Sequence, residues 1–327
     1  MSIGNNKIFI IGISSFSGAS MSSFLLKKGA EVYGSYSKYK YINQFLYDKR
    51  KIREFKIDLI KDTKKLVKII KRIKPSIILD HASICMVNES WEYPEKYFDI
   101  NVNSRLRIVD GLKNSKFLKK YIYISTPEIF GSSEKKIKEN CNTFNPSTPY
   151  AASKLSAELN FKLANKMHNF PLILSRFSNF YGPGQPLHRL VPKVLFSIKK
   201  GIKFPLHGNG SSRRNFIFSD DFCTGIWRII VKGKVGNTYH FSSEKYVSVK
   251  EIVEIISKLK NKKIKSFVEK TTDRFGKDDV YRLCSIDTKK KLKWSPKTTL
   301  KKGIEKTIKF YEIHYKSLKK QSINFKI

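Results

Sequence analysis

Through the first half of the chain, short apolar runs alternate with helical stretches, and this alternation limits the fold more than any other feature of the sequence. Lys7–Ile11 reads as a strand, Ser17–Lys28 as a helix, Glu31–Tyr36 as a strand, and Asp62–Ile73 as an amphipathic helix with Leu66, Val67, Ile69, Ile70 and Ile73 on its apolar side. Ser76–Leu79 is a strand, Pro94–Leu112 one long helix and Lys120–Ser125 a further strand. Strand and helix exchanging at this spacing predict an α/β protein, a doubly wound parallel sheet covered on both faces. Ligands of such sheets lie beyond the carboxyl ends of the strands.

The second half continues with a helix over Pro149–His168, for which Thr148 is the candidate N-cap and Pro149 the first helical residue. A strand follows at Pro171–Ser175. From Asn179 onward the pattern turns irregular, punctuated by Tyr181-Gly182-Pro183-Gly184-Gln185-Pro186 and His207-Gly208-Asn209-Gly210. Ser248-Val249-Lys250-Glu251 matches a capping box opening a helix, and a last helix covers about Leu300–Tyr315. There is no internal repeat and no long linker. We expect a Rossmann-type domain over residues 1–178, completed by about 213–243, and a smaller C-terminal α/β substrate lobe that takes up most of 179–327.

Composition excludes several classes. Of 327 residues 40% are hydrophobic, which is enough for a large core and rules out disorder. No apolar run approaches the roughly 18 residues of a membrane-spanning helix, and the run Ile8-Phe9-Ile10-Ile11 stops at Gly12, too short for a signal-peptide core. A cytoplasmic protein without a membrane partner is expected. Cys85, Cys141, Cys223 and Cys284 lack the paired spacing of zinc sites or disulfide frameworks, so they are read as free thiols and no metal is expected. Lys plus Arg number 65 against 27 acidic residues, a net charge of +38. The surplus is spread along the chain without a basic block or an RNA-module signature, so it reads as solvated surface and argues against nucleic acid as the partner.

Gly12-Ile13-Ser14-Ser15-Phe16-Ser17-Gly18 lies between the first strand and the first helix, where a dinucleotide fold sets its pyrophosphate against backbone N–H groups and the positive helix end. Gly12 permits the tight turn, Gly18 the close packing of helix on strand, and Ser15 takes the place of a middle glycine. Selectivity between NAD and NADP is read at the end of the second strand, where a carboxylate would bind the ribose hydroxyls. Gly34-Ser35-Tyr36-Ser37-Lys38 holds none, and Ser35, Ser37 and Lys38 are suited to a 2′-phosphate, so the reading leans to NADP.

Tyr150 and Lys154 share one helix face, where an ammonium can lower the phenol's proton affinity for use as a base. The spacing alone is cheap: 16 Tyr and 65 basic residues make about three such pairs by chance. Five with Lys occur, starting at Tyr36, Tyr47, Tyr150, Tyr246 and Tyr315. Context singles out Tyr150, which opens the helix that follows Ser125-Thr126 at the ligand end of a buried strand.

Six ordered segments then carry a resemblance over nearly the whole chain: Gly12–Gly18, Ser125-Thr126-Pro127-Glu128-Ile129-Phe130-Gly131, Pro149-Tyr150-Ala151-Ala152-Ser153-Lys154, Arg176-Phe177-Ser178-Asn179-Phe180-Tyr181-Gly182-Pro183, Gly208–Phe216, and Asp273-Arg274-Phe275-Gly276-Lys277-Asp278. The chain resembles the extended short-chain dehydrogenase/reductases, the NAD-dependent epimerase/dehydratase family, and within it the GDP-mannose and dTDP-glucose 4,6-dehydratases. The resemblance implies a homodimeric lyase that oxidises a nucleotide sugar at C4, eliminates water across C5–C6 and returns hydride to C6, feeding polysaccharide or deoxysugar synthesis. It implies Tyr150 as the base at the C4 hydroxyl, Lys154 on the nicotinamide ribose, Thr126 on the C4 oxygen and Glu128 as the base at C5. Gly12, Ser15, Phe16, Gly18, Ser35, Lys38, Asp58, Leu59, Ala82 and Asn101 fall at its cofactor positions, with Tyr150 and Lys154. Ser125, Asn179, Arg214 and Arg274 fall at substrate positions, where Arg suits the diphosphate.

Three departures stand out. Pro127 occupies the place of an acid that protonates the leaving hydroxyl in dehydratases of the dTDP-glucose type, Ser83 follows Ala82 where a second alanine is usual, and Asn215 replaces an aspartate after the diphosphate arginine. Pro127 leaves a nucleotide-sugar epimerase or decarboxylase as the alternative enzyme. A catalytically inactive RNA-binding relative is the alternative of another class, against which the set Thr126, Tyr150 and Lys154 speaks. His81, His188, His207 and His240 show no partner pattern and read as structural.

Overall fold

The computed structural model describes residues 6–38, 41–243, 245–272 and 278–325. Seven strands form the main sheet: β1 (Lys7–Ile11), β2 (Glu31–Tyr36), β3 (Arg53–Lys56), β4 (Ile77–Asp80), β5 (Lys120–Ser125), β6 (Leu172–Phe177) and β7 (Thr238–Phe241). Their order is β3-β2-β1-β4-β5-β6-β7, and every neighbouring pair is parallel. The chain runs outward from β1 to one edge and from β4 to the other, so the topological switch point lies between β1 and β4.

The helices are α1 (Phe16–Lys27), α2 (Thr63–Ile73), α3 (Ser104–Leu112), α4 (Pro149–His168), α5 (Leu190–Lys200), α6 (Ser219–Lys232), α7 (Val249–Leu259) and α8 (Leu300–Ile313). The alternation along β1 shows why the sheet is covered twice. Ile8 and Ile10 point into a core shared with Leu25 of α1 and Ile226 of α6, while Phe9 and Ile11 point into one shared with Leu66 of α2, Ile108 of α3 and Phe161 of α4. All four are fully buried, each contributing roughly 1.5–3 kcal/mol.

Local sequence sets the helix ends. Thr148 Oγ1 accepts from Ala151 N at 3.1 Å with Pro149 at the first helical position, and Ser248 and Glu251 cap α7 reciprocally, at 3.1 and 2.6 Å. The reading of Pro94–Leu112 as one helix is corrected: a short helix over Pro94–Phe98 and α3 flank a π-turn at Asp99–Asn103. The wider turn accommodates Asn101, which is completely buried and bonded inward. β3 was invisible in the sequence because Arg53-Glu54-Phe55-Lys56 is a charged edge strand.

A second lobe has its own core, with Val194 and Leu195 of α5, Ile252 and Ile256 of α7, and Ile304 and Tyr311 of α8. Its three-stranded sheet joins Tyr246–Ser248, Arg213–Phe218 and Asn179–Tyr181. Of the stretch 213–243, therefore, α6 and β7 complete the large sheet, whereas Arg213–Phe218 pairs within the small one. The four cysteines are free. Among the described residues no helix is long and apolar enough to cross a membrane, and no group of His, Cys, Asp and Glu could hold a metal ion.

Candidate active site

The glycine turn sits over the switch point. Gly12 has φ +81°, and a Cβ there would lie 2.7 Å from Ala82 Cα, so the turn after β1 touches the loop after β4. Gly12 N and Ile13 N donate to Ser35 O at 3.0 and 2.9 Å, tying the turn to the end of β2. Ser15 caps α1 by accepting from Gly18 N at 3.0 Å, and a Cβ on Gly18 would meet Gly12 O at 2.4 Å. The Phe16 ring stacks on Phe180 at 4.9 Å, which leaves its backbone for a phosphate. These residues fit a dinucleotide: close backbone approach, a helix N-terminus aimed at the cleft and an uncharged rim.

The remaining cofactor positions divide. Ser35 is buried and serves the turn through its carbonyl, while Ser37 and Lys38 are exposed. Asp58 is exposed and accepts from Ile60 N at 2.8 Å, and Leu59 is half-buried beside it. Asn101 makes no contact available to a ligand: Oδ1 accepts from Ser83 Oγ (3.1 Å) and Ile84 N (3.2 Å), and Nδ2 donates to Ile84 O (3.2 Å) and Ser153 Oγ (3.0 Å). It shapes the loop after β4 from behind. Ser83 is thereby explained, since an alanine would offer Asn101 no hydroxyl.

β5 ends in Ser125 and Thr126, and α4 brings Tyr150 against them. Thr126 Oγ1 accepts from Glu128 N at 3.2 Å, and its hydroxyl acts on the Tyr150 phenol, favouring the phenolate. Pro127 suits this place locally, because Thr126 caps a 3₁₀ turn of which it is the first residue. Ser125 Oγ is buried without a protein partner. Burial pushes Tyr150 well above the ordinary phenol range, with the Glu128 charge adding to it and the Thr126 hydrogen bond opposing. Burial likewise raises Glu128 to about 7, helped by Asp278 and opposed by Arg214 and Arg189. Lys154 Nζ donates to Ile124 O at 2.8 Å and lies 4.1 Å over the Tyr123 ring; burial and Arg105 lower it to about 7. The pocket thus holds two groups that exchange protons near neutrality and a phenol that keeps its proton until more positive charge arrives.

On the other side of the cleft, Asn179 Oδ1 accepts from Tyr281 Oη at 2.7 Å, and the half-buried Arg214 guanidinium stacks 4.8 Å over the same ring while donating to Asp279 O at 2.8 Å. Arg274 lies outside the described residues. Asn215 is fully buried, and its Nδ2 donates to Ser243 O (2.7 Å) and Lys245 O (3.0 Å), bonds an aspartate could not give.

Two residues the sequence did not single out join the pocket. Arg189, just before α5, donates to Cys85 Sγ at 2.8 Å and acts electrostatically on both Tyr150 and Glu128. Asp278, held by Ser147 Oγ at 2.8 Å, faces Glu128. One arginine among 65 basic residues carries no signal until the chain is folded. His240 is buried between Arg176 (3.0 Å) and Cys284 O (3.2 Å), and His81 is buried against Phe222, both as structural groups.

Comparison with known proteins gives the family and the fold. The family model for GDP-mannose 4,6 dehydratase matches residues 9–307. The chain is 29% identical over 251 residues to the dTDP-D-glucose 4,6-dehydratase of Homo sapiens, covering 75% of this chain and 71% of that one. The crystal structure of a dTDP-glucose 4,6-dehydratase from Streptomyces venezuelae, with NAD and TYD bound, superposes with a TM-score of 0.88 at 23% identity, over 95% of this chain and 98% of that one. For the dTDP-glucose 4,6-dehydratase of Bacillus anthracis in complex with NAD the values are 0.85 and 25%, over the same shares.

Proposed function

Since the chain belongs to the GDP-mannose 4,6-dehydratase family, we propose that it is a nucleotide-sugar 4,6-dehydratase with a nicotinamide dinucleotide as its cofactor. The observation that carries this reading is the meeting of Thr126, Tyr150 and Glu128 in one pocket. Oxidation at C4 alone needs the first two; a carboxyl group beside them serves elimination at C5.

A bound nicotinamide would supply the hydride exchange, from C4 and back to C6. The residues around it do the proton work. Tyr150, as its phenolate, would take the C4 hydroxyl proton, and Thr126 would donate to the oxygen left behind. Lys154, whose ammonium donates to Ile124 O, would hold the nicotinamide ribose. Glu128 takes the C5 proton, which the C4 ketone acidifies, and gives it to the departing C6 hydroxyl, which leaves as water. Once hydride has added at C6 the enolate is protonated at C5, a proton that balances the one Tyr150 took from the C4 hydroxyl. A carboxyl group poised near 7 suits both steps, and this double duty replaces the acid that Pro127 cannot supply. Arg214, Asn179 and Arg274 hold the diphosphate and nucleotide.

Exposed Lys38 and Ser37 at the end of β2, without a carboxylate, favour NADP over NAD. The product is a 4-keto-6-deoxy sugar nucleotide, formed in the cytoplasm for deoxysugar or surface-polysaccharide synthesis. The protein acts as a homodimer through α3 and α4, where Leu106 and the row Leu159, Leu163 and Met167 are 41–69% exposed, on a face of α4 half a turn away from Tyr150.

The test is incubation with a panel of nucleotide sugars and either dinucleotide, read by mass spectrometry. Loss of one water supports the reading. Unchanged mass with an altered sugar indicates an epimerase, carbon dioxide release a decarboxylase, and no conversion with salt-sensitive RNA binding a scaffold.

A further inference from the structure

Beneath the cleft lies a buried ion pair that none of the steps above uses. Asp80, the last residue of β4, and Arg105, on the first turn of α3, are each 1% exposed. Arg105 Nη2 donates to Asp80 Oδ1 at 2.8 Å and Nε to Oδ2 at 3.0 Å, and Tyr121 Oη donates to Oδ2 at 2.8 Å. The other guanidinium donors go to Ser104 Oγ (2.9 Å) and to the carbonyls of Ala82 and Ile100. Ala82 is the residue that Gly12 touches, and Ile100 precedes Asn101. Burying two charges here gains little stability over an apolar pair of the same size. The planar fork of an arginine, however, aims several acceptors at once.

We propose that Asp80 and Arg105 are positioning residues of the dehydratase, fixing the Ala82 wall of the dinucleotide cleft and setting the electrostatic field in which the Lys154 ammonium works. This rests on the function proposed above. The groups that face Lys154 are Arg105 from α3, Asp80 and His81 from β4 and its exit, Cys85 from the loop beyond, Tyr123 from β5 and Glu158 from its own helix. Arg105 opposes the charge on Lys154 and Asp80 favours it. Removing one partner therefore pushes Lys154 one way and removing the other pushes it back, whereas loss of packing alone would affect both variants alike.

The experiment uses Asp80→Asn, Arg105→Met, Arg105→Lys and the double variant Asp80→Asn/Arg105→Met. Two quantities are read: the affinity for reduced dinucleotide by nicotinamide fluorescence, which needs no turnover, and the pH profile of kcat. The alkaline limb, where Lys154 loses its proton, moves down by about one pH unit in Asp80→Asn and up by about one in Arg105→Met, and returns towards wild type in the double variant. Dinucleotide binding weakens about tenfold in Arg105→Lys and in the double variant, because the Ala82 carbonyl loses its donor. Limbs that stay put or move in the same direction overturn the proposal, as does wild-type affinity in the double variant, which carries the test if a single variant fails to fold. A wild-type chain that binds no dinucleotide overturns the dehydratase reading along with it; a wild-type chain that binds and turns over, with unmoved limbs in the variants, overturns only this inference.

Discussion

Glu158 and Arg176 are both completely buried, and Arg176 Nε donates to Glu158 Oε1 at 3.0 Å, joining the helix that carries Tyr150 and Lys154 to β6 beneath it. Glu158 stands four residues beyond Lys154, on the face that bears both catalytic candidates. Arg176 continues the connection to His240 on β7. Glu158→Ala strands a guanidinium in the core and costs about 3–5 kcal/mol. Urea unfolding followed by circular dichroism measures it; a loss under 1 kcal/mol would remove the pair from the framework of the site.

Glu128→Gln separates the two halves of the reaction. We expect loss of water from the sugar nucleotide to slow by about 10²–10⁴-fold, while the transient of C4 oxidation in a single turnover is spared. Equal damage to both, seen by absorbance of the reduced dinucleotide and mass spectrometry, would take Glu128 out of its role at C5.

The same carboxyl group sets a pH dependence. If Glu128 is the base at C5 as proposed, it must be ionised, and turnover should fall as pH drops through about 7. Stability runs the other way. The folded value lies above the unfolded 4.5, so the native state holds the extra proton between the two; the stabilisation is complete below 4.5 and is lost as pH rises towards about 7. Glu128→Gln removes that penalty and gains ~1–2 kcal/mol at pH 8, allowing for its partial exposure. Calorimetry at pH 5 and pH 8 checks this: a gain of equal size at both would refute it.

How far the chain could be read in advance depended on the range of the interaction. Gly12 and Gly18 announce their turn, Thr148 its cap, and Ser248 and Glu251 their box, because each partner is within a few residues. The pairs Asp80–Arg105 and Cys85–Arg189 join residues 25 and 104 positions apart, and no periodicity encodes them. Lys154 was expected to tune Tyr150 by helical spacing, yet its ammonium bonds the carbonyl of Ile124, because a buried amine takes the nearest acceptor. Asn101 was placed on the cofactor by likeness; the π-turn directs it inward.

Leu163→Glu sets a charge in the middle of the apolar row on α4, where the side chain is 59% exposed. If that face joins two copies, light scattering should show the variant as a monomer, with the wild type at twice the mass. A monomeric wild type would dismiss the interface.

The amide at position 215 reaches further than its two hydrogen bonds. A carboxylate in that place would set a buried negative charge against the main-chain oxygens of Ser243 and Lys245, with no donor from them to satisfy it. With a neutral side chain holding the loop through main-chain oxygens, no further negative charge joins Glu128 and Asp278 near the Arg214 guanidinium. If Arg214 holds the diphosphate as proposed, capture of the sugar nucleotide weakens as ionic strength rises and the Debye length contracts.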